Sequence, residues 1–273
     1  MMVRYAAGLP VVGEFGDPRV LLELAVAAEE NGWDGVYLWD HLLYSEPDWP
    51  VASPVVSLAA IAARTARVRL GILVTALPRR RVQVVARETA SLDVLSGGRL
   101  VFGAGLGSMD SEYSAFGEDP DLKARATTLD ASLDTLVRLW AGTPVVLPSG
   151  ASVAMQPVPV QRPRIPVWCP GRWPTRAGFR RAARWDGAMP TFAGYGRERP
   201  VPPEVFESVV AYLRQRRGSL DGYDIALEGT SRDPSTVEPY VAAGLTWWVE
   251  AFGWWRGGVA EAFTRLAAGP PRP

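Results

Sequence analysis

Short runs of β-branched and aromatic residues alternate with helical patterns along the whole chain, and the punctuation between them repeats. Helices open on Asp or Ser followed by Pro, a capping oxygen ahead of a first residue that needs no N–H, and they close on Gly. Asp17-Pro18 starts the first helix, Leu21, Leu24, Ala25 and Ala28 form its apolar stripe, and Gly32 ends it. Gly35 to Trp39 then reads as a buried strand, Ser53-Pro54 opens the next helix, and Val68 to Thr75 is the next strand. In the third helix Val82, Val85, Thr89 and Leu92 share one face before Gly97-Gly98 stops it. Leu100 to Ala104 is a strand, and Leu129, Leu133, Leu136 and Trp140 mark a fourth helix ending at Gly142. Strands at 165–168, 186–191, 223–227 and 245–250 then alternate with helices at 176–183, 203–216, 233–243 and 259–267.

With Val3 to Ala7 as the first strand, the tally is eight strand–helix pairs. Eight pairs in about 250 residues is the arithmetic of an α/β (β/α)8 TIM barrel. An open doubly wound sheet has fewer strands and a phosphate-binding first turn, which is absent here. The irregular stretch from Thr143 to Arg164 carries two apolar runs about Ser149-Gly150, which predicts a small hairpin inserted before strand five. No linker is long or polar enough to divide the chain, so one barrel domain over 1–273 is expected.

Scarce residues narrow the chemistry. His41 is the single histidine, Cys169 the single cysteine and Lys123 the single lysine. A three-histidine zinc site and an intrachain disulfide are therefore excluded, no metal site is expected, and a Schiff-base or P-loop lysine has one candidate. Lys+Arg is 29 and Asp+Glu is 29, so no global basic field draws nucleic acid or an anionic membrane. Gly8 and Pro10 interrupt the N-terminal stretch where a signal peptide needs an apolar run. The stretch from Val51 to Ala63 is too short and too broken to span a bilayer. A cytoplasmic protein is expected.

In such a barrel the site is built where strands end. Asp40 and His41 follow strand two; a histidine there either moves a proton near neutral pH or orders its loop by hydrogen bonding. Trp39, Tyr44 and Trp49 form either an aromatic wall for a planar ligand or part of the core. Gly103-x-Gly-x-Gly107 admits close backbone approach of a ring or phosphate, or simply supplies positive φ at a strand end. Gly171-Arg172-Trp173 precede a helix with Pro174 near its first turn, an arrangement suited to an anion. Arg79-Arg80-Arg81 is read as an exposed loop, and Glu88 and Asp93 as helix-surface or helix–helix groups. For Glu250 a site role and a structural salt bridge stand level, and Cys169 is read as a small buried side chain.

The segments LWDHLLY (38–44), RLGILVTALPRRRVQVVARETASLDVLSGGRLVFGAGLG (69–107), LDASLDTLVRLWAG (129–142), PRIPVWCPGRWP (163–174), RRAARWDG (180–187) and AGLTWWVEAFGWW (243–255) resemble, in order, the luciferase-like flavin-dependent oxidoreductases. That superfamily includes bacterial luciferase and coenzyme F420-dependent dehydrogenases and reductases, and its fold is a (β/α)8 barrel. The resemblance implies a flavin or deazaflavin ring near Leu73, Val74 and Thr75, with a non-prolyl cis peptide near Leu73-Val74. It implies a proton-handling His41 beside Asp40, a ribityl chain along Gly105, Gly107 and Ser108, and a phosphate near Arg125, Gly171, Arg172 and Trp173. Cys169-Pro170 departs from the commoner small or Gly-rich pair, and the near absence of lysine means that any lysine contacts of deazaflavin enzymes are supplied by arginine or are missing. Met189 to Pro203 is short, which leaves the substrate pocket open or completed by a partner.

The implied activity is hydride transfer between coenzyme F420 and a small organic substrate. One alternative is an FMN-dependent monooxygenase served by a separate flavin or F420 reductase; another is a non-catalytic flavin-binding barrel. A homodimer is the remaining partner to test.

Overall fold

The computed structural model describes residues 3–147, 149–197 and 199–272. The strands are β1 (Arg4–Leu9), β2 (Gly35–Leu38), β3 (Arg69–Ala76), β4 (Leu100–Gly105), β5 (Val145–Val146), β6 (Ser152–Val153), β7 (Val167–Trp173), β8 (Gly187–Phe192), β9 (Asp224–Gly229) and β10 (Trp247–Ala251). All but β5 and β6 close into one parallel barrel in the order β1-β10-β9-β8-β7-β4-β3-β2. The helices are α1 (Pro18–Glu30), α2 (Pro54–Arg64), α3 (Val82–Ser96), α4 (Ser111–Ser114), α5 (Leu122–Trp140), α6 (Ala177–Ala182), α7 (Pro203–Arg217), α8 (Glu238–Ala242) and α9 (Gly258–Ala267). The expected (β/α)8 barrel is the fold observed, and the expected hairpin is the antiparallel β5–β6 pair.

Local chemistry sets the helix ends. The Asp17 side chain accepts from Arg19 N at the start of α1, Ser53 from Val56 N at α2, and Asp121 from Lys123 N and Ala124 N at α5. Gly97, at φ 65°, closes α3 in the left-handed region.

Alternation along the strands sorts side chains into two cores. The inner one is built around Tyr37, Trp168 and Trp247, with Ala6, Val101, Ala226 and Val249 beside them. The three rings meet edge-on or tilted, with centroids 5.5–5.8 Å apart. Below them Asp224 accepts from Arg4 and from Trp247 Nε1, at 2.9 and 3.1 Å. The barrel is thus solid through its middle, which leaves its C-terminal mouth for chemistry. The outer core is the layer between strands and helices.

Two expectations need correction. β7 runs to Trp173 and not only to Trp168, so Gly171, Arg172 and Trp173 are strand residues. Asp93 serves no helix surface: it is wholly buried and accepts from Val160 N, Gln161 N and Gln161 Nε2 at 2.8, 3.0 and 2.6 Å. Its carboxylate pins the chain returning from the hairpin onto α3. No backbone hydrogen-bond pattern in the sequence announces this, because the donors lie nearly seventy positions downstream.

Asp93→Ala strands two backbone amides and a side-chain amide. Each bond to a charged acceptor is worth about 1.5–3 kcal/mol, so we expect a loss of about 3 kcal/mol or more in urea denaturation. An unchanged midpoint would show that water replaces the carboxylate at no cost.

Candidate functional site

At the mouth, the register between β3 and β4 shifts between Ile72 and Thr75, and the Leu73–Val74 peptide is cis, where the sequence reading expects it. The irregularity turns both Leu73 and Val74 onto the inner core. Thr75 beyond it faces the helices instead, lining a void of about 20 Å³ with Val85 and Arg80, and its buried hydroxyl has no partner. Leu73 and Val74 therefore offer side chains to a ring at the mouth, whereas Thr75 offers its backbone. Gly105 abuts Val74 so closely that a Cβ would overlap Val74 Cγ2, and Gly107 holds φ +77° at the turn into Ser108.

Three neighbouring strand ends meet in a charged knot. From β2 come Asp40 and His41; from the turn after β3, Arg79 and Arg80; from α4 after β4, Glu112. Asp40 accepts from Ala76 N at 2.9 Å and from Arg80 Nη2 at 2.6 Å. Arg79 donates to Asp40 O at 2.9 Å and lies 3.2 Å from its carboxylate and 2.9 Å from that of Glu112. Glu112 also accepts from Leu42 N at 2.5 Å and faces His41 Nδ1 at 3.3 Å. The Arg79 side chain is 1% exposed and the Glu112 side chain 0%, which corrects the reading of Arg79 as part of an exposed loop. The Asp40 carboxylate oxygens are taken up by the β3 turn.

Burial opposes ionisation of Glu112, but His41, Leu42 N–H and the Arg79 guanidinium outweigh it and bring the carboxyl down to about 2. An ionised carboxylate only accepts, so in the neutral imidazole it takes the Nδ1 proton and leaves Nε2 as a base. Sequence reasoning missed Glu112. Its reading of the loop after strand four stops at Ser108, four residues short, and α4 is too brief for a periodic signal.

An aromatic wall flanks His41. Its ring meets Trp39 and Tyr44 edge-on at 6.0 and 5.3 Å, and Tyr44 stacks on Trp49 at 6.0 Å. Trp254 and Trp255, from the turn after β10, complete the wall; Trp255 stacks on Trp39 at 5.9 Å with planes 5° apart.

The anion-binding expectation is rearranged. α6 begins at Ala177, so Pro174 stands outside it. Gly171 is required for packing, since a Cβ there would lie 2.8 Å from the Phe179 ring. Arg172 is exposed, with no acidic partner among the described residues. Arg176 lies over Trp173 and Tyr212, 5.5 and 5.0 Å from their ring centroids. Arg125 is 2% exposed and donates to Asp110, Leu106 O and Pro120 O at 2.5, 3.3 and 2.7 Å. It braces the loop holding Gly107, and no hydrogen bond joins it to Gly171, Arg172 or Trp173.

The alternative left open at Glu250 closes as structural, and Cys169 is buried as the sequence reading has it. Glu250 is wholly buried, accepts from Ser231 N, Ser231 Oγ and Trp248 Nε1, and pairs with Arg256. Burial pushes the Cys169 thiol up to about 12, which keeps it protonated.

A carboxyl held at about 2 against an ordinary value of 4.5 contributes stability that is fully present above about 4.5 and is lost as pH falls toward 2. The shift corresponds to about 3 kcal/mol. Glu112→Gln should flatten the acid limb of a stability–pH profile in that window; an identical limb in both proteins would mean that folding does not lower the Glu112 pKa.

Residues 4–226 match the family model described as luciferase-like monooxygenase. An F420-dependent glucose-6-phosphate dehydrogenase from Gordonia bronchialis is 35% identical over 142 residues, 50% of this chain and 42% of that protein. The 4-hydroxyprotoasukamycin monooxygenase of Streptomyces nodosus subsp. asukaensis is 36% identical over 121 residues, 44% of this chain and 32% of that one. The matched segments thus span less than half of these relatives. In fold, the chain resembles a coenzyme F420-dependent tetrahydromethanopterin reductase from Methanopyrus kandleri, with TM-score 0.78 and 17% identity over 100% of this chain and 99% of the other. An F420-dependent secondary alcohol dehydrogenase superposes with TM-score 0.76 and 16% identity over 92% and 93%. With four-fifths of the chain inside the family model, the protein belongs to the luciferase-like monooxygenase family.

Proposed function

We propose that the protein is an oxidoreductase that binds coenzyme F420 at the barrel mouth and works on a small organic substrate. The observation that carries this reading is His41, anchored through Nδ1 on ionised Glu112 with Nε2 left for a ligand. The residues fit a flat, anionic cofactor. Leu73 and Val74 give an apolar backing for a ring, Gly105 and Gly107 keep the neighbouring strand end free of side chains, and Arg172 and Arg176 carry charge with no acidic partner among the described residues. When bound, the deazaflavin supplies the hydride chemistry.

The chain supplies the rest. Nε2 takes a proton from, or returns it to, the substrate oxygen, and Glu112 stabilises the imidazolium that results. Arg79 and Asp40 hold the pair in place. The aromatic wall keeps water from one side of the ring. Arg172 and Arg176 hold the phosphate, while Arg125 acts indirectly through the loop of Gly107 and Ser108.

A second reading follows the monooxygenase relatives: FMN in the same mouth, reduced by a separate reductase. We place the protein in the cytoplasm, as a barrel over 1–273 with no metal; a homodimer is open to measurement.

Titration with F420 and with FMN, followed by absorbance and fluorescence quenching, separates the two cofactors; FMN binding without F420 binding would overturn the first reading. His41→Asn should lower turnover of the reduced cofactor by about 10²–10⁴ while cofactor affinity changes only a few-fold. Near-normal turnover would make His41 structural. Replacing Arg172 and Arg176 together by Ala should weaken cofactor binding about ten- to hundred-fold, read from the same titration.

A further inference from the structure

The barrel wall parts above a short pairing of β8 with β9. β8 and β9 pair only at Gly187↔Asp224 and Ala188↔Ile225, although β8 stays paired to β7 through Phe192 and β9 to β10 through Gly229. The amino-acid sequence explains the break. Asp224 N donates to Asp186 O at 3.0 Å, so the Asp186 carbonyl turns to β9. Alternate residues of a strand face the same neighbour, which puts Ala188 and then Pro190 on that edge. Pro190 has no N–H to continue the ladder.

A cavity of about 720 Å³ lies against this seam. Met189 and Glu228 line it from the barrel interior, and Leu227, Val201, Tyr240 and Trp248 from the outer core. Glu228 follows Ala226 of the inner core by two positions, so its side chain points inward. Among the described residues no hydrogen bond or ion pair satisfies it. Burial raises its pKa, and the Arg197 guanidinium opposes that rise. Arg197 in turn lies 3.5 Å from the Trp255 ring centroid and 5.2 Å from that of Trp39, so the cavity adjoins the aromatic wall of His41.

We propose that this seam is a substrate cleft beside His41, and that Glu228 is its specificity-determining residue, gripping a hydroxyl on a neutral ligand with an apolar body. The wall chemistry selects that class. Arg197 and Arg199 in the lining disfavour a cation, and Glu228 disfavours an anion. A hydroxyl suits the carboxyl in either form: the carboxylate accepts from it, and the neutral acid also donates to it. Calling the ligand a substrate rests on the hydride-transfer reading; the selectivity of the cleft does not.

The test uses cofactor-free protein and ligand-observed NMR titration with two probes. Cyclohexanol carries the hydroxyl; fluorocyclohexane is close in size and cannot donate. Glu228→Leu should shift the ratio of their affinities away from the alcohol by about tenfold or more. Thr236→Trp, which fills the cleft from its rim, should weaken both. A ratio unchanged in Glu228→Leu overturns the role of Glu228, and wild-type affinities in Thr236→Trp overturn the cleft, even where the leucine variant does not fold. Titration with F420 keeps the two readings apart. Cyclohexanol selectivity without F420 binding removes the hydride-transfer reading and leaves the cleft; F420 binding without selectivity removes the cleft alone.

Discussion

Tyr37, Trp168 and Trp247 fill the middle of the barrel, and this plug constrains everything above it. Three large rings at one level leave no passage, so ligands reach only the residues above, at the strands' C-terminal ends. The plug also turns a closed sheet into a rigid platform, because interdigitated aromatic side chains pack at crystal-like density. A site assembled from three different strand ends needs that rigidity, since its members share no local sequence.

On this platform the costliest feature is the burial of two carboxylates around one guanidinium. Asp40, Glu112 and Arg79 have side chains 0–1% exposed. Such a cluster is tolerated only when every charge is compensated, and removing one member leaves the others unpaired. Its return is geometric. Glu112 fixes which nitrogen of His41 faces the mouth, and Arg79 couples that choice to the β3 turn, beside the irregularity at Leu73 and Val74. The β3 turn and the His41 ring are then held by the same few bonds.

The opposite side of the mouth is shaped by a missing bond. Between β2, β3 and β4 extra hydrogen bonds tie the strand ends together; between β8 and β9 the ladder stops at Pro190 and the wall parts. The two sides meet through Arg197 and the Trp39–Trp255 stack. One rim therefore carries a histidine braced by buried charges, and the other a cavity lined by Glu228, which has no hydrogen-bond partner among the described residues.

Much of this was legible in the linear chain. Capping residues, stripe spacing and glycine stops are local signals, and they determined the eight strand–helix pairs, the hairpin at 145–153 and the strand ends where a site belongs. His41 followed from scarcity and position together, and the family from motifs spread over the chain. What tertiary structure alone decided concerns partners distant in sequence. Arg79 looks like any basic loop residue until the fold buries it between carboxylates 39 and 33 positions away. Glu112 sits in a helix of one turn with no periodicity, Asp93 finds its donors in the chain returning from a later hairpin, and Arg125 braces a loop. Propensity and pattern report what a residue does for its own segment. Which buried charge meets which is settled only when the closed barrel brings strand ends together and removes the water that would otherwise have satisfied each of them alone.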